Sequence, residues 1–131
     1  MKILIIGAGA VGFSIAKQLS AEGHDISVVD ANPKLTRKIT EKLDVSITTG
    51  NATSPSVLES AGVEGADMVL AVTTSDEVNI VTCILASKYG NGKKIKIARI
   101  RNSEFTSNKS ILKDNGFCVD HMINPEQIIV E

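Results

Sequence analysis

Three glycines, Gly7, Gly9 and Gly12, fall within six residues in the stretch GAGAVG, directly after the apolar run Lys2–Ile6. Glycine repeated at this spacing takes side chains away where the chain must turn sharply and where a ligand must come close. By position, Gly7 permits the turn and Gly9 admits a pyrophosphate to the backbone without a Cβ in its way. Gly12 lets the following helix pack tightly on the strand. The intervening Ala8, Ala10 and Val11 carry no charge. Phosphate binding would therefore fall to backbone N–H groups and the positive end of a helix.

The second half of such a site is an acid at the end of the next strand. Asp30 closes the run ISVVD, eighteen residues after Gly12. A carboxylate there accepts both ribose hydroxyls of an adenosine and repels a 2′-phosphate. Ala31 and Asn32 follow with no arginine to compensate, so the pattern favours NAD over NADP. Gly50–Thr53 (GNAT) follows the third apolar run and is placed to border the adenine with Asn51 and Ala52. Thr73 opens TTSDEVN at the end of the fourth run and is a ligand candidate. Ser75 and Asp76, just beyond, fit either ligand contact or simple capping of a helix. Arg99, in ARIR, is a charge among apolar neighbours. It suits a phosphate or carboxylate partner, or equally a salt bridge at the sheet edge.

Catalytic chemistry is harder to find. His24 sits in the EGHD turn, away from the glycine loop, and His121 has no nameable partner. Tyr89 and Lys93 have Y-x-x-x-K spacing, but Gly90, Asn91 and Gly92 between them end a helix, so the two would not share a face. There is no nucleophile elbow, P-loop or zinc-ligand spacing. The chain reads as a nucleotide-binding half without a catalytic half.

The elements that must position these residues alternate. Continuous apolar runs mark strands at Lys2–Ile6, Asp25–Val29, Val45–Thr48, Met68–Thr73, Ile95–Ile100 and, more weakly, Phe117–His121. Apolar residues at three-and-four spacing mark helices at Ala10–Glu22, from Pro33, at Ser54–Ala61, Asp76–Tyr89 and Ser103–Asn115. This predicts an α/β, Rossmann-type doubly wound parallel sheet of about six strands in the order 3-2-1-4-5-6.

Composition agrees. A length of 131 residues suits one domain, and 43% hydrophobic with 22% charged residues suits a globular one. A net charge of −1 and 3% aromatics argue against a nucleic-acid surface. No apolar run approaches the ~20 residues that span a bilayer, and the N-terminus lacks the pattern of a signal peptide. The two cysteines, Cys83 and Cys118, read as buried thiols.

Taken in order, the glycine loop with ISVVD, then G-N-A-T, V-T-x-x-D-E-x-N, A-R-I-R-N and INPE resemble the regulator-of-potassium-conductance domain (RCK, or KTN) over nearly the whole chain. The resemblance implies a single RCK N-type domain over 1–131, with 124–131 as a tail or the start of a connecting helix. It implies a cytoplasmic regulatory subunit, not an enzyme, at the inner face of the membrane. The partners would be a membrane potassium transporter or channel and further copies of itself in a homo-oligomer. Ligand state would gate ion flux through the geometry between subunits. It implies NAD (NADH or NAD+), or an adenine nucleotide, ADP or ATP, as ligand. Gly7, Gly9, Gly12, Asp30, Asn51, Ala52, Thr73 and Arg99 fall on family nucleotide positions. Ala10 and Val11 stand where some relatives carry a base that reaches a γ-phosphate, which favours a dinucleotide or ADP. Helices four and five are candidates for subunit contact, and the tail Ile128–Val130 for packing across a neighbouring subunit. The alternative is the cofactor domain of an NAD-dependent oxidoreductase separated from its substrate domain.

Overall fold

The computed structural model describes residues 1–90, 92–107 and 118–124. Its strands are β1 (Lys2–Ile6), β2 (Asp25–Asp30), β3 (Ser46–Thr49), β4 (Met68–Ala71), β5 (Ile95–Arg99) and β6 (His121–Ile123). All pair in parallel, in the order β3-β2-β1-β4-β5-β6. This is the doubly wound arrangement expected from the sequence. The helices are α1 (Ala10–Ala21), α2 (Pro33–Lys42), α3 (Pro55–Ser60), α4 (Asp76–Ala86) and α5 (Ser103–Ser107).

The continuous apolar runs are explained by burial on both faces of the sheet. Along β1, Ile3 and Ile5 pack with Ile26, Val28, Ala16 and Ile39 under α1 and α2. Leu4 and Ile6 point the other way, into a cluster with Val69, Ala71, Leu58, Ile80 and Cys83 under α3 and α4. Two cores thus share one sheet. In register, Ile6 pairs with Val29 of β2 and with Ala71 of β4. The carboxyl ends of the central strands therefore finish level, and their loops leave on one edge. β1 lies between β2 and β4, so the chain departs to opposite sides there and leaves a crevice.

Several boundaries differ from expectation. The strand from Met68 ends at Ala71; Val72 N–H still donates to Ile6 O of β1 at 2.8 Å, but Thr73 N–H turns to Asn79 Oδ1 of α4 at 3.0 Å. Helix α4 stops at Ala86, three residues before Tyr89. Tyr89 instead donates its hydroxyl to Glu59 Oε2 at 3.1 Å and takes no part with Lys93 in one helix. A 3-10 turn at Val63–Gly65, absent from the sequence reading, is pinned by Lys94, whose buried Nζ donates to Val63 O (2.9 Å) and Ala66 O (2.7 Å). That burial pulls the Lys94 ammonium below its ordinary value. β6 begins at His121, where the expected strand would have ended. Cys118 is half-buried at φ 60°, not a core thiol, while Cys83 is fully buried. The expected course of the fifth helix beyond residue 107, and the tail 125–131, lie outside the described residues.

Candidate nucleotide-binding site

The crevice at the carboxyl edge holds a cavity of about 480 Å³. Gly9, Ala10 and Val11 line it from the glycine loop, Asp30 and Ala31 from the end of β2, and Asn51 and Ala52 from the loop after β3. Thr73, two residues past β4, and Arg99, the last residue of β5, close it. Nine of the twelve residues singled out from sequence thus meet in one space. The other three, Gly7, Ala8 and Gly12, are buried beneath it and shape the loop.

Their packing shows why glycine is required at two of these places. Gly7 has φ +113°, a left-handed value that L side chains rarely adopt, and a Cβ there would lie 3.1 Å from the Val72 carbonyl. A Cβ on Gly12 would overlap the Gly7 carbonyl itself, so the loop and helix could not close on each other. Gly9 is different: a Cβ there meets nothing within 4 Å. Its bareness serves no packing need and opens the loop toward the cavity.

Helix α1 begins at Gly9 with no side chain capping it, whereas α2 and α4 are capped by Asn32 (2.9 Å to Lys34 N) and Ser75 (3.2 Å to Val78 N). The first-turn amides of α1, which lack helical acceptors, therefore have no side-chain cap at the cavity wall, as is also the case for α3. Asp30 is tied into the same loop. Ala8 N–H donates to its Oδ2 at 2.7 Å and Asn32 N–H to its Oδ1 at 2.8 Å. Each oxygen keeps a lone pair for a further donor, so the carboxylate is held in one orientation with acceptor capacity to spare. Asn51 Oδ1 accepts from Thr53 N (2.9 Å) and Oγ1 (2.8 Å), which fixes the turn after β3. Among the described residues, Arg99, 9% exposed, is the one cation on the cavity wall and Asp30 the one acid. The remaining wall is largely apolar, with Ile6, Val29, Leu35, Val72 and Val78 among its members. That composition suits a flat base better than an extended charged chain.

Ser75 caps α4 and also lines the cavity. Asp76 does something else: its two oxygens accept from Arg101 N–H (3.0 Å) and Asn102 N–H (2.8 Å). Asn79 was missed as a site residue from sequence, although it ends the quoted V-T-x-x-D-E-x-N pattern. It is wholly buried and bonded to both Thr73 and Arg99. His24 lies near Glu22 at the opposite edge of the sheet. Among the described residues no group of three or more His, Cys, Asp or Glu could hold a metal ion, and no helix is long and apolar enough to cross a membrane.

The family model for the TrkA-N domain matches residues 3–125. The Trk system potassium uptake protein TrkA of Vibrio alginolyticus is 41% identical over 130 residues, which is 98% of this chain but 28% of that protein. Among solved structures, the TrkA-N domain of the inner membrane protein ybaL from Escherichia coli superposes with a TM-score of 0.84 at 18% identity, covering 98% of this chain and 90% of that one. The GsuK channel bound to NAD superposes at 0.80 and 19% identity, over 98% of this chain and 22% of that one. The structural likenesses establish the shared fold. With the family model spanning nearly all of the chain, they lead to one assignment: this chain belongs to the TrkA-N domain family.

Proposed function

We propose that the cavity binds NAD(H), or ADP in its place, and that the domain is the nucleotide-sensing part of a potassium uptake regulator. The observation that carries this is the bond from Ala8 N–H to Asp30 Oδ2, at 2.7 Å. It joins the diphosphate loop and the sugar-binding acid into one preformed unit. In this reading the amides of Ala10 and Val11 hold the diphosphate, and Asp30 accepts from the adenosine ribose. The adenine lies against Ala31, Leu35 and Ala52, beside Asn51. The part of the ligand beyond the diphosphate runs toward Thr73 and Arg99. The NAD in the GsuK neighbour and the potassium uptake role of the TrkA relatives support the reading. Among the described residues, the cavity wall carries Asp30 and Arg99 but no His, Cys, Tyr or Lys to pass a proton to a substrate. Binding without turnover is therefore the expected behaviour.

The chain spans 28% of the length of the TrkA relative. The partners follow as part of the proposal: a membrane potassium transporter, and further copies of the domain at the cytoplasmic face of the membrane. Val81, 39% exposed on α4, belongs to the surface that would meet a second copy. Calorimetric titration with NAD, NADH, NADP, ADP and ATP tests the site. NAD and ADP should saturate, and NADP should bind more weakly than NAD because Asp30 repels its 2′-phosphate. NADP binding more tightly than NAD would remove the role given to Asp30. Steady oxidation of NADH with an added carbonyl substrate would favour the oxidoreductase alternative.

A further inference from the structure

Helix α4 is packed into the core through Ile80, Cys83 and Ala86, yet it also buries three polar side chains spaced three apart: Asp76, Asn79 and Thr82. Spacing of three keeps them on adjoining parts of one face. Each reaches a different loop of the cavity edge. Asp76 accepts from Arg101 and Asn102, after β5. Thr82 Oγ1 makes a long 3.5 Å contact with Ala52 O, after β3. Asn79, between them, is 0% exposed and uses its full amide capacity. Its Oδ1 accepts from Thr73 N (3.0 Å) and Thr73 Oγ1 (2.7 Å). Its Nδ2 donates to Thr73 O (3.1 Å) and Arg99 O (2.8 Å).

One planar amide therefore sets the separation between the ends of β4 and β5, where Thr73 and Arg99 meet the cavity. A buried polar group of this kind costs free energy unless every partner is in place, so the spacing it imposes has little slack. Asn79 is not on the cavity wall. We propose that Asn79 is a positioning residue of the nucleotide site. It holds Thr73 and Arg99 at the distance that receives the part of the ligand beyond the diphosphate, while Asp30 and the glycine loop act without it. The inference rests on the nucleotide reading above. It adds that the two halves of the site are held by different structural devices.

Titration of wild type and Asn79→Asp with NAD and with AMP separates these halves, since AMP engages the Asp30 end alone. Aspartate keeps the size but loses the two donors to the carbonyls of Thr73 and Arg99. The variant should lose about tenfold in NAD affinity, as expected for one or two hydrogen bonds, and less than twofold in AMP affinity. Equal losses for both ligands would mean that Asn79 only supports the fold, and no loss for either would mean that it positions nothing; both overturn the inference. Wild type that binds neither ligand fails the nucleotide reading instead, and is distinguishable for that reason. Should Asn79→Asp not fold, amide hydrogen exchange on the wild type decides. NAD should slow Thr73, Ser75, Arg101 and Asn102 together, and AMP should not. Protection of Thr73 and Ser75 alone would break the proposed link across α4.

Discussion

Gly9 and Gly12 share a motif but not a purpose, and substitution should separate them. Gly12→Ala drives a Cβ into the Gly7 carbonyl. It should cost at least ~2 kcal/mol and lower the melting temperature by roughly 6–10 °C in a thermal scan. Gly9→Ala meets no neighbour within 4 Å. It should melt near the wild-type temperature and lose NAD affinity by titration, because the new methyl stands where the diphosphate approaches. Asp30→Ala should weaken NAD and ADP by about tenfold, the loss of charge-assisted hydrogen bonds to the ribose; unchanged affinity would place the sugar elsewhere. The placement of these residues was legible because spacing and strand context alone put them at the first strand–helix junction and the end of β2. Asn79 was not. Its partners lie six and twenty positions away, and their meeting depends on how α4 sits on the sheet. A pattern of letters shows that an asparagine follows a helix start. It does not show that the side chain turns inward.

Elements were legible where burial is two-sided and long. β1 and β2 start and end within a residue of the apolar runs that mark them. The misjudged elements are short or governed by side-chain contacts. The 3-10 turn at Val63–Gly65 exists because Lys94, about thirty residues later, takes two carbonyls at its end. β6 has three residues and, among the described residues, pairs along one side only, with β5. Caps belong to this scale as well. Asn32 holds the start of α2 through Lys34 N. Asn32→Ala should cost about 1 kcal/mol, read as a shift in the denaturant midpoint at constant slope. A changed slope would mean that the substitution altered more than the cap.

Over the whole molecule, the strand order followed from alternation and the handedness of crossovers, while assembly is not written in periodicity. One buried thiol makes global stability depend on alkaline pH. Burial pushes Cys83 up to about 12, against 9.0 for an unburied cysteine. Between these values the unfolded chain has released the proton and the folded chain still holds it, so this group stabilises the fold less and less as pH rises from 9 toward 12. The stability gap between wild type and Cys83→Ala, measured by urea unfolding, should narrow from pH 8 to pH 11. A constant gap would mean that the thiol ionises alike in both states. The polar face of α4 has its own consequence at this scale. A crevice whose walls are tied to one helix is already built when its guest arrives. Binding should then show a heat-capacity change no larger than the apolar area covered demands, with none of the excess that accompanies folding on contact.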